Sequence, residues 1–292
     1  MTILQDLKLQ FRIGGIVQKI IFWNVGLYIL SLLLNLIFQF SKIEMDCLDW
    51  VSLSSKPENL LWHPWTIISY AFFHAGFTHI LFNMLILNFS GRLFLTLFSE
   101  RQFVGLYFVG AVFAGIIFII CYFLFPSLRI FDSKLVGASG AIMAILVGIA
   151  TQAPLMEVRL LLIGNVKLWH IAFVTIFLDL VQLPLENTGG HLAHLGGALF
   201  GFLYVKQVQK GVDITAWFNR IVDFFVNLTK KKPEHQFKKV YKNHQNVSKT
   251  ILDSTPRNKS QQQVDDILDK ISKSGYDSLT ADEKEFLFKF GT

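Results

Sequence analysis

Six long apolar segments dominate the pattern of hydrophobic and polar positions along this chain. They occupy roughly residues 20–40, 78–97, 103–125, 135–152, 167–184 and 191–207. Each is close to the ~20 apolar residues that a helix needs to cross a bilayer. Composition agrees, since 52% of the 292 residues are hydrophobic and the mean hydropathy is +0.46, values that a soluble domain rarely reaches. The pattern therefore predicts an all-α polytopic membrane protein built on a bundle of six transmembrane helices.

After residue 207 the pattern changes from apolar to mixed. Within 212–228 one side of a helix would carry the apolar residues, and charged residues on the other side interrupt any span. The apolar set is Trp217, Ile221, Phe224, Phe225 and Leu228. An amphipathic helix on the inner membrane surface, followed by the basic cluster at 230–232, is the predicted structure.

The rest of the chain divides into a polar stretch and a short helical segment. The polar stretch is rich in Lys, Asn, Gln and Ser, which is typical of a flexible linker. Further on, Gly275 is expected to end one helix, and Thr280 with Glu283 reads as a capping box that begins a second. The predicted domains are a cytoplasmic arm (1–19), the six-span domain (20–207), the interfacial helix with its basic cluster (208–232), the linker (233–262) and a small helical hairpin (263–292). Docking of a cytoplasmic partner is one hypothesis for the hairpin, which has few apolar residues of its own.

Basic residues predict which side of the membrane each loop faces. The net charge of +6 comes from lysines in the C-terminal tail and short loops, which fits a cytoplasmic face better than nucleic-acid binding. With the N-terminus inside, the inner segments hold Lys8, Arg12, Lys19, Arg92, Arg101, Arg159, Lys167, Lys206 and Lys210, and the outer segments hold Lys42, Lys56, Arg129 and Lys134. Both termini are therefore expected in the cytoplasm, and the first loop, residues 41–77, is expected to face outward. No signal or transit peptide is evident, which favours a multi-pass protein of a cell membrane, the inner membrane of a bacterium.

Two reactive side chains lie inside apolar segments, where polar groups are costly and usually mark function. Ser139 lies in the sequence GASG at 137–140, and His194 lies in AHLGG at 193–197. Small residues recur at every fourth position beside them, at Gly140, Ala144 and Gly148 and at Ala193, Gly197 and Gly201. Ordinary helix packing explains such stripes by themselves. The same packing would also bring the hydroxyl within reach of the imidazole, as in an activated nucleophile.

A second polar group lies at the start of the second span, in HAGFTHILFN at 74–83. His79 and Asn83 are four residues apart, so they share one face of a helix. Two side-chain donors near the outer end of a span, with the backbone N–H of Ser139, would suit a developing oxyanion. Alternatively, the two side chains satisfy each other or a neighbouring loop carbonyl.

Taken in order, the HxxxxHxxxN run, GASG and AHLGG resemble the motifs of rhomboid intramembrane serine proteases, over about residues 15–207. The resemblance implies that Ser139 is the nucleophile, that His194 is the general base, and that His79, Asn83 and the Ser139 amide form the oxyanion hole. It implies a Ser-His dyad with no acidic third member, and Asp179, the only acid in the last three predicted spans, is not expected near His194.

The resemblance also implies partners. Substrates would be membrane proteins cleaved in or near their transmembrane segments, within the lipid bilayer, and neither a cofactor nor a metal ion is expected. Cys47 and Cys121, the only cysteines, are too few for a disulfide framework or a metal-binding knuckle. Hydrolysis needs water, so the site is expected to line a hydrated cavity open to the outer side.

The chain departs from the family pattern at two positions. The arginine that often follows the first-loop tryptophan, here Trp65, is Thr66, and the glutamate common after the second span is Leu95. Both family positions are structural, so the departures bear on loop anchoring more than on chemistry. His191, one turn before His194, is a second candidate for the base, although the AHxxG frame selects His194. His74 is expected to stabilise the loop, and His63 and His170 have no partner in any motif.

Two rival functions follow from the same residues. A rhomboid-like protein that has lost its chemistry would be a membrane binding or chaperone protein, and intact Ser139 and His194 argue against it. A transporter or channel would line its path with such polar residues, but it predicts internal repeats or further charges within the spans. The sequence has neither.

Overall fold

Helices make up most of the described chain. The computed structural model describes residues 2–130, 132–161, 163–229 and 259–290, which divide into a first unit up to residue 232 and a second from 233. The helices of the first unit are α1 (Ile3–Ile13), α2 (Ile16–Phe40), α3 (Cys47–Val51), α4 (Pro57–Trp62), α5 (Thr66–Ser69), α6 (Phe77–Phe94), α7 (Glu100–Leu124), α8 (Pro126–Arg129), α9 (Ser139–Gln152), α10 (Leu168–Gln182), α11 (Thr188–Val208) and α12 (Ala216–Thr229). Its strands are β1 (Leu53–Ser54), β2 (Lys134–Leu135), β3 (Glu157–Leu160) and β4 (Gly164–Lys167), paired as two antiparallel ribbons, β1 with β2 and β3 with β4.

The six apolar segments coincide with α2, α6, α7, α9, α10 and α11. Two of them, α2 and α7, have 25 residues each and are long and apolar enough to cross a membrane. The segment Thr66–Phe72 meets α6 at a bend of 91°, and the pair passes the same criterion if it counts as one broken span. The shorter helices α9 and α10 are apolar as well. The fold is therefore that of a helical membrane protein, and the crossing of the bilayer by all six segments stays a prediction.

The core of the first unit is centred on α9, which packs against α7, α11 and α6. All residues of α9 from Gly140 to Ala150 are buried, as expected for an apolar helix surrounded by protein. By contrast, α10 buries only Leu168, Ala172 and Asp179, and α2 buries four of its 25 residues. The many exposed apolar side chains on these outer helices are suited to contact with lipid.

The two predicted stripes of small residues meet where α9 crosses α11. A Cβ atom at Gly197 would overlap the carbonyl group of Gly140, and one at Gly201 would overlap that of Ala144. The backbones of the two helices therefore touch, and packing of this kind holds apolar helices together in lipid. We call this backbone contact the α9–α11 seam.

Replacing Gly197 by alanine is expected to destabilise the protein by about 1–3 kcal/mol, because a methyl group in the seam must push two backbones apart. The measurement is thermal unfolding of the purified protein in detergent. The matched control is Gly26→Ala in α2, where a Cβ meets nothing within 4 Å. At such a position alanine stabilises a helix by roughly 0.5–1 kcal/mol relative to glycine. Equal melting temperatures for Gly197→Ala and the wild type would contradict the close backbone contact at the seam.

The first loop is tied to the segment that precedes α9. Strand β1 pairs with β2 in the register Leu53↔Leu135. Two exposed ion pairs reinforce the ribbon, Lys134 with Asp49 at 2.6 Å and Lys56 with Asp132 at 3.1 Å, although exposed pairs contribute little on their own. These contacts place the first loop and the α7–α9 connection at the same end of the bundle.

Aromatic residues anchor this loop without the arginine of the family pattern. The indole N–H of Trp65 donates a hydrogen bond to the carbonyl of Trp50 at 2.7 Å. His63 packs edge-on against both indoles, with ring centroids 5.2 and 5.6 Å apart, and its carbonyl accepts a bond from the Thr66 hydroxyl. His63 thus has a structural role that the sequence alone did not assign, and Thr66 contributes to the anchoring in place of arginine.

At the opposite end of the bundle, α12 packs against the start of α7. The amide of Asn219 donates to the carbonyl of Arg101, whose side chain pairs with Asp223 at 3.1 Å. Phe218 stacks on Phe108 with ring centroids 5.2 Å apart. The apolar side chains predicted to face the membrane, namely Trp217, Ile221, Phe224, Phe225 and Leu228, are all exposed. The basic cluster at 230–232 lies outside the described residues.

The second unit contains α13 (Lys259–Ser274), a short 3₁₀ helix (Tyr276–Ser278) and α14 (Ala281–Phe290). The predicted capping box is present: the N–H of Glu283 donates to the Thr280 hydroxyl at 3.4 Å, and the N–H of Thr280 donates to the Glu283 carboxylate at 2.7 Å. Lys270 joins α13 to this cap at 2.9 Å and lowers the pKa of Glu283. Gly275, with φ +79°, follows the end of α13. Residues 233–258 of the predicted linker lie outside the described residues.

Candidate active site

A cavity of about 400 Å³ brings the four predicted site residues together. His79, Asn83, Ser139 and His194 all line it. The rest of its lining consists of Ala75, Lys134, Leu135, Val136, Asn187 and Gly190. Residues 79 and 83 come from α6, 139 from α9 and 194 from α11, so three helices far apart in the sequence contribute polar groups to one space.

Ser139 is the first residue of α9 and is partly exposed to the cavity. The glycine two residues earlier explains why the chain can turn there. Gly137 has φ +128°, which side chains rarely tolerate, and a Cβ atom would lie 2.7 Å from the His79 ring. Its N–H donates to the carbonyl of Tyr70 at 2.9 Å. The first glycine of GASG is thus required both by the backbone and by the close approach of His79.

The α9–α11 seam determines how close His194 comes to Ser139. A Cβ atom at Gly140 would lie 3.5 Å from the carbonyl oxygen of Ala193. Gly140 follows Ser139 and Ala193 precedes His194, so each is the immediate neighbour of a candidate catalytic residue. The side chain of His194 is 22% exposed, so its ring is accessible from the cavity.

Asp179 contradicts the expectation that no acid lies near His194. One of its carboxylate oxygens, Oδ1, lies 2.8 Å from Nδ1 of His194 and 2.8 Å from Nδ1 of His191. The three residues meet because α10 and α11 form a hairpin, with Asp179 in the last turn of one helix and the histidines in the first turns of the other. A hydrogen bond from the Thr188 hydroxyl to the carbonyl of Leu183 closes the connection at 2.8 Å.

The same three residues are the candidate metal ligands that the described structure offers, with ligand atoms within 4.8 Å of one another. Nitrogen and oxygen ligands of a tetrahedral zinc ion, each about 2.0–2.1 Å from the metal, would be roughly 3.3 Å apart. The observed separations of 2.8 Å are instead those of charge-assisted hydrogen bonds. An ion would have to push the imidazoles away from Asp179.

Asn83 has an amide group free for a ligand. It is 6% exposed, and among the described residues its Nδ2 has no hydrogen-bond partner. A buried donor without a partner is costly, so this amide is suited to an oxygen atom that enters the cavity. Among the described residues, His79 and Asn83 form no hydrogen bond with each other, so the alternative that the two side chains satisfy each other is not observed.

His74, in the first loop, lies behind His79 and does not line the cavity. It is 2% exposed, and its ring packs edge-on against that of His79 with centroids 5.1 Å apart. Burial, and then the neighbouring His79, lowers the pKa of His74 to about 3. His74 is therefore neutral at physiological pH and suited to support rather than to proton transfer.

Fold and cavity together define a helical membrane protein with a hydroxyl, imidazoles and an amide around one pocket. The family model for the rhomboid domain matches residues 61–210, so this chain belongs to the rhomboid family. Residues 254–290 match a second model, described as a family of unknown function (DUF6576). Over 143 residues the chain is 32% identical to "Presenilin-associated rhomboid-like protein A, mitochondrial" of Danio rerio, which covers 46% of this chain and 35% of that protein. The match thus spans about a third of the length of that relative.

Sequence reasoning missed two residues at the site, Asp179 and Asn187. Asp179 gave a signal, since an acid within an apolar segment usually marks function, but its distance of 15 residues from His194 concealed the contact. Asn187 lines the cavity and has φ +50° just before α11. An asparagine in a polar turn between two helices is compatible with that conformation, but nothing in the sequence placed it at the pocket.

Proposed function

We propose that this protein is an intramembrane serine endopeptidase that hydrolyses peptide bonds in or near the transmembrane segments of membrane proteins. The observation that carries the proposal is the cavity where Ser139, His194, His79 and Asn83 meet. Membership of the rhomboid family supports it. No bound cofactor or metal ion is required by the reaction described below.

The proposed reaction begins when the Ser139 hydroxyl attacks a substrate carbonyl carbon. Its proton passes to Nε2 of His194, and the carbonyl oxygen becomes an oxyanion that accepts hydrogen bonds from Asn83 Nδ2, His79 and the Ser139 N–H. His194 then returns the proton to the leaving amine, and an acyl-enzyme remains. Water, activated by the same imidazole, hydrolyses the ester and regenerates Ser139.

Two features of the site support this chemistry. Ser139 begins α9, so its backbone N–H belongs to the first turn, where helix donors have no partner within the helix. In the described residues no hydrogen bond joins the Ser139 hydroxyl to His194, and such bonds often close only when substrate binds. The partly exposed Ser139 and His194 are accessible to a substrate.

The proposed setting is a six-span bundle in a cell membrane, with both termini cytoplasmic and the cavity open to the outer side. The amphipathic helix would then lie at the inner face, and the C-terminal hairpin would be in the cytoplasm, available to a cytoplasmic partner. A helical substrate hides its carbonyl groups in its own hydrogen bonds. Suitable substrates therefore carry small or helix-breaking residues near the outer end of their transmembrane helix.

Covalent labelling tests the proposal. Purified protein in detergent is incubated with a fluorophosphonate, and the modified residue is located by mass spectrometry of its peptides. We expect a single adduct on Ser139, because the probe reports a serine activated by a base. Heat-unfolded protein is the control and should not react. If Ser139 carries no adduct and a designed transmembrane substrate with a Gly-Ala site stays intact, the protein is a rhomboid-like binding protein instead.

A further inference from the structure

We infer that Asp179 is a positioning residue for His194, so that the proposed catalytic unit includes a carboxylate. This inference rests on the proposed function. Its basis is the contact of Asp179 Oδ1 with Nδ1 of His194 at 2.8 Å. The carboxylate is buried, with 5% of the residue exposed, and a buried charge persists only where it is paired and hydrogen-bonded.

The contact fixes the tautomer of His194. An ionised carboxylate only accepts hydrogen bonds, so the imidazole donates through Nδ1–H. In the neutral ring the other nitrogen, Nε2, then carries a lone pair, and this is the atom that must take the proton of Ser139. When it does, the ring becomes an imidazolium whose positive charge lies beside the negative charge of Asp179. The proton on Nδ1 stays on His194, and Asp179 stays ionised.

His191 holds the carboxylate from the other side. Its Nδ1 donates to the same oxygen at 2.8 Å, and the residue is 8% exposed. The cavity is lined by His194 and not by His191, so of the two imidazoles bound to Asp179 only His194 is next to Ser139. His191 thus orients the carboxylate of Asp179, and this carboxylate in turn orients the ring of His194.

Two further groups that can carry a charge, His79 of α6 and Lys134 of β2, line the same cavity as His194. Among the described residues, Asp179 of α10 is the group that contacts Nδ1 of His194 and so orients its ring.

The test compares Asp179→Asn with wild type and with Asp223→Asn, a matched loss of a carboxylate in the Arg101 ion pair at the other end of the bundle. Cleavage of the designed substrate and fluorophosphonate labelling are measured in parallel. We expect kcat to fall on the order of 10²-fold at an almost unchanged KM. Asp223→Asn should behave as wild type. A chelator should leave the wild-type rate unchanged.

Nitrogen-15 NMR of histidine-labelled wild type reports the tautomer of His194 in the unaltered site. The His194 signal, identified by its loss in His194→Ala, should show the Nδ1–H tautomer. An Nε2–H tautomer, an unchanged kcat in Asp179→Asn, or a rate that a chelator alters would each overturn the inference. If the fluorophosphonate still labels Ser139 of the wild type, such a result overturns only the role of Asp179 and leaves the proposed protease activity intact. Loss of that labelling is the separate failure of the proposed function.

Discussion

Hydrolysis of a transmembrane substrate by Ser139→Ala is expected to fall to background. Removal of the nucleophile from a catalytic serine site lowers kcat on the order of 10⁶-fold, and His194→Ala should fall about as far, because the two side chains act as one unit. The double variant should be no worse than either single variant. The measurement is the rate of release of the cleaved product in detergent, with protein amounts matched by absorbance.

Two matched controls separate chemistry from folding. Among the described residues, the buried hydroxyl that Ser90→Ala removes bonds only to the carbonyl of Ile86 on its own helix. His170→Ala removes an imidazole that lies tilted against the Trp169 ring. Both should retain activity. If Ser139→Ala cleaves at the wild-type rate, Ser139 is not the nucleophile, whatever the controls do.

Asn83→Ala is expected to lower kcat about 10²- to 10³-fold and to leave KM nearly unchanged. The reason is that an oxyanion donor contributes most when charge develops on the substrate oxygen, and loss of one such donor costs this much in a characterised serine protease. Asn83 Nδ2 has no partner among the described residues, so no existing bond is broken by the change. Steady-state kinetics with the designed substrate give both constants.

The control for Asn83 is Asn88→Ala on the same helix, since Asn88 does not line the cavity. It should keep both kcat and KM. A rise in KM with kcat unchanged in Asn83→Ala would mean that the amide binds the ground state as strongly as the transition state. That result would assign Asn83 to substrate binding rather than to the oxyanion hole.

Local features of the sequence were sufficient to predict the helices and four of the residues that the structure brings to one cavity. Apolar runs of the right length located α2, α6, α7, α9, α10 and α11, because helix formation depends on residues close in the chain. GASG marked Ser139 as a candidate nucleophile, and the structure explains the first residue of the motif by the positive φ of Gly137. The stripes beside Ser139 and His194 predicted that two helices touch, and the α9–α11 seam confirms that they do.

Contacts between distant residues were the part that the sequence could not supply. Asp179 approaches His194 only because the α10–α11 turn reverses the chain, and the direction of a side chain after such a turn depends on tertiary packing. The anchoring of the first loop through Trp65 and Trp50 is a similar case. A missing arginine suggested a weaker anchor, whereas an indole N–H and an aromatic stack provide one by another route.

The α9–α11 seam has a consequence for how the protein responds to heat. Backbone meets backbone at Gly197 and Gly201, so at these two positions no side chain lies between the helices that could change rotamer and alter the spacing of Ser139 and His194. Warming is therefore not expected to increase the distance between Ser139 and His194 gradually. Thermal inactivation should occur as one step, at the temperature where the bundle itself comes apart.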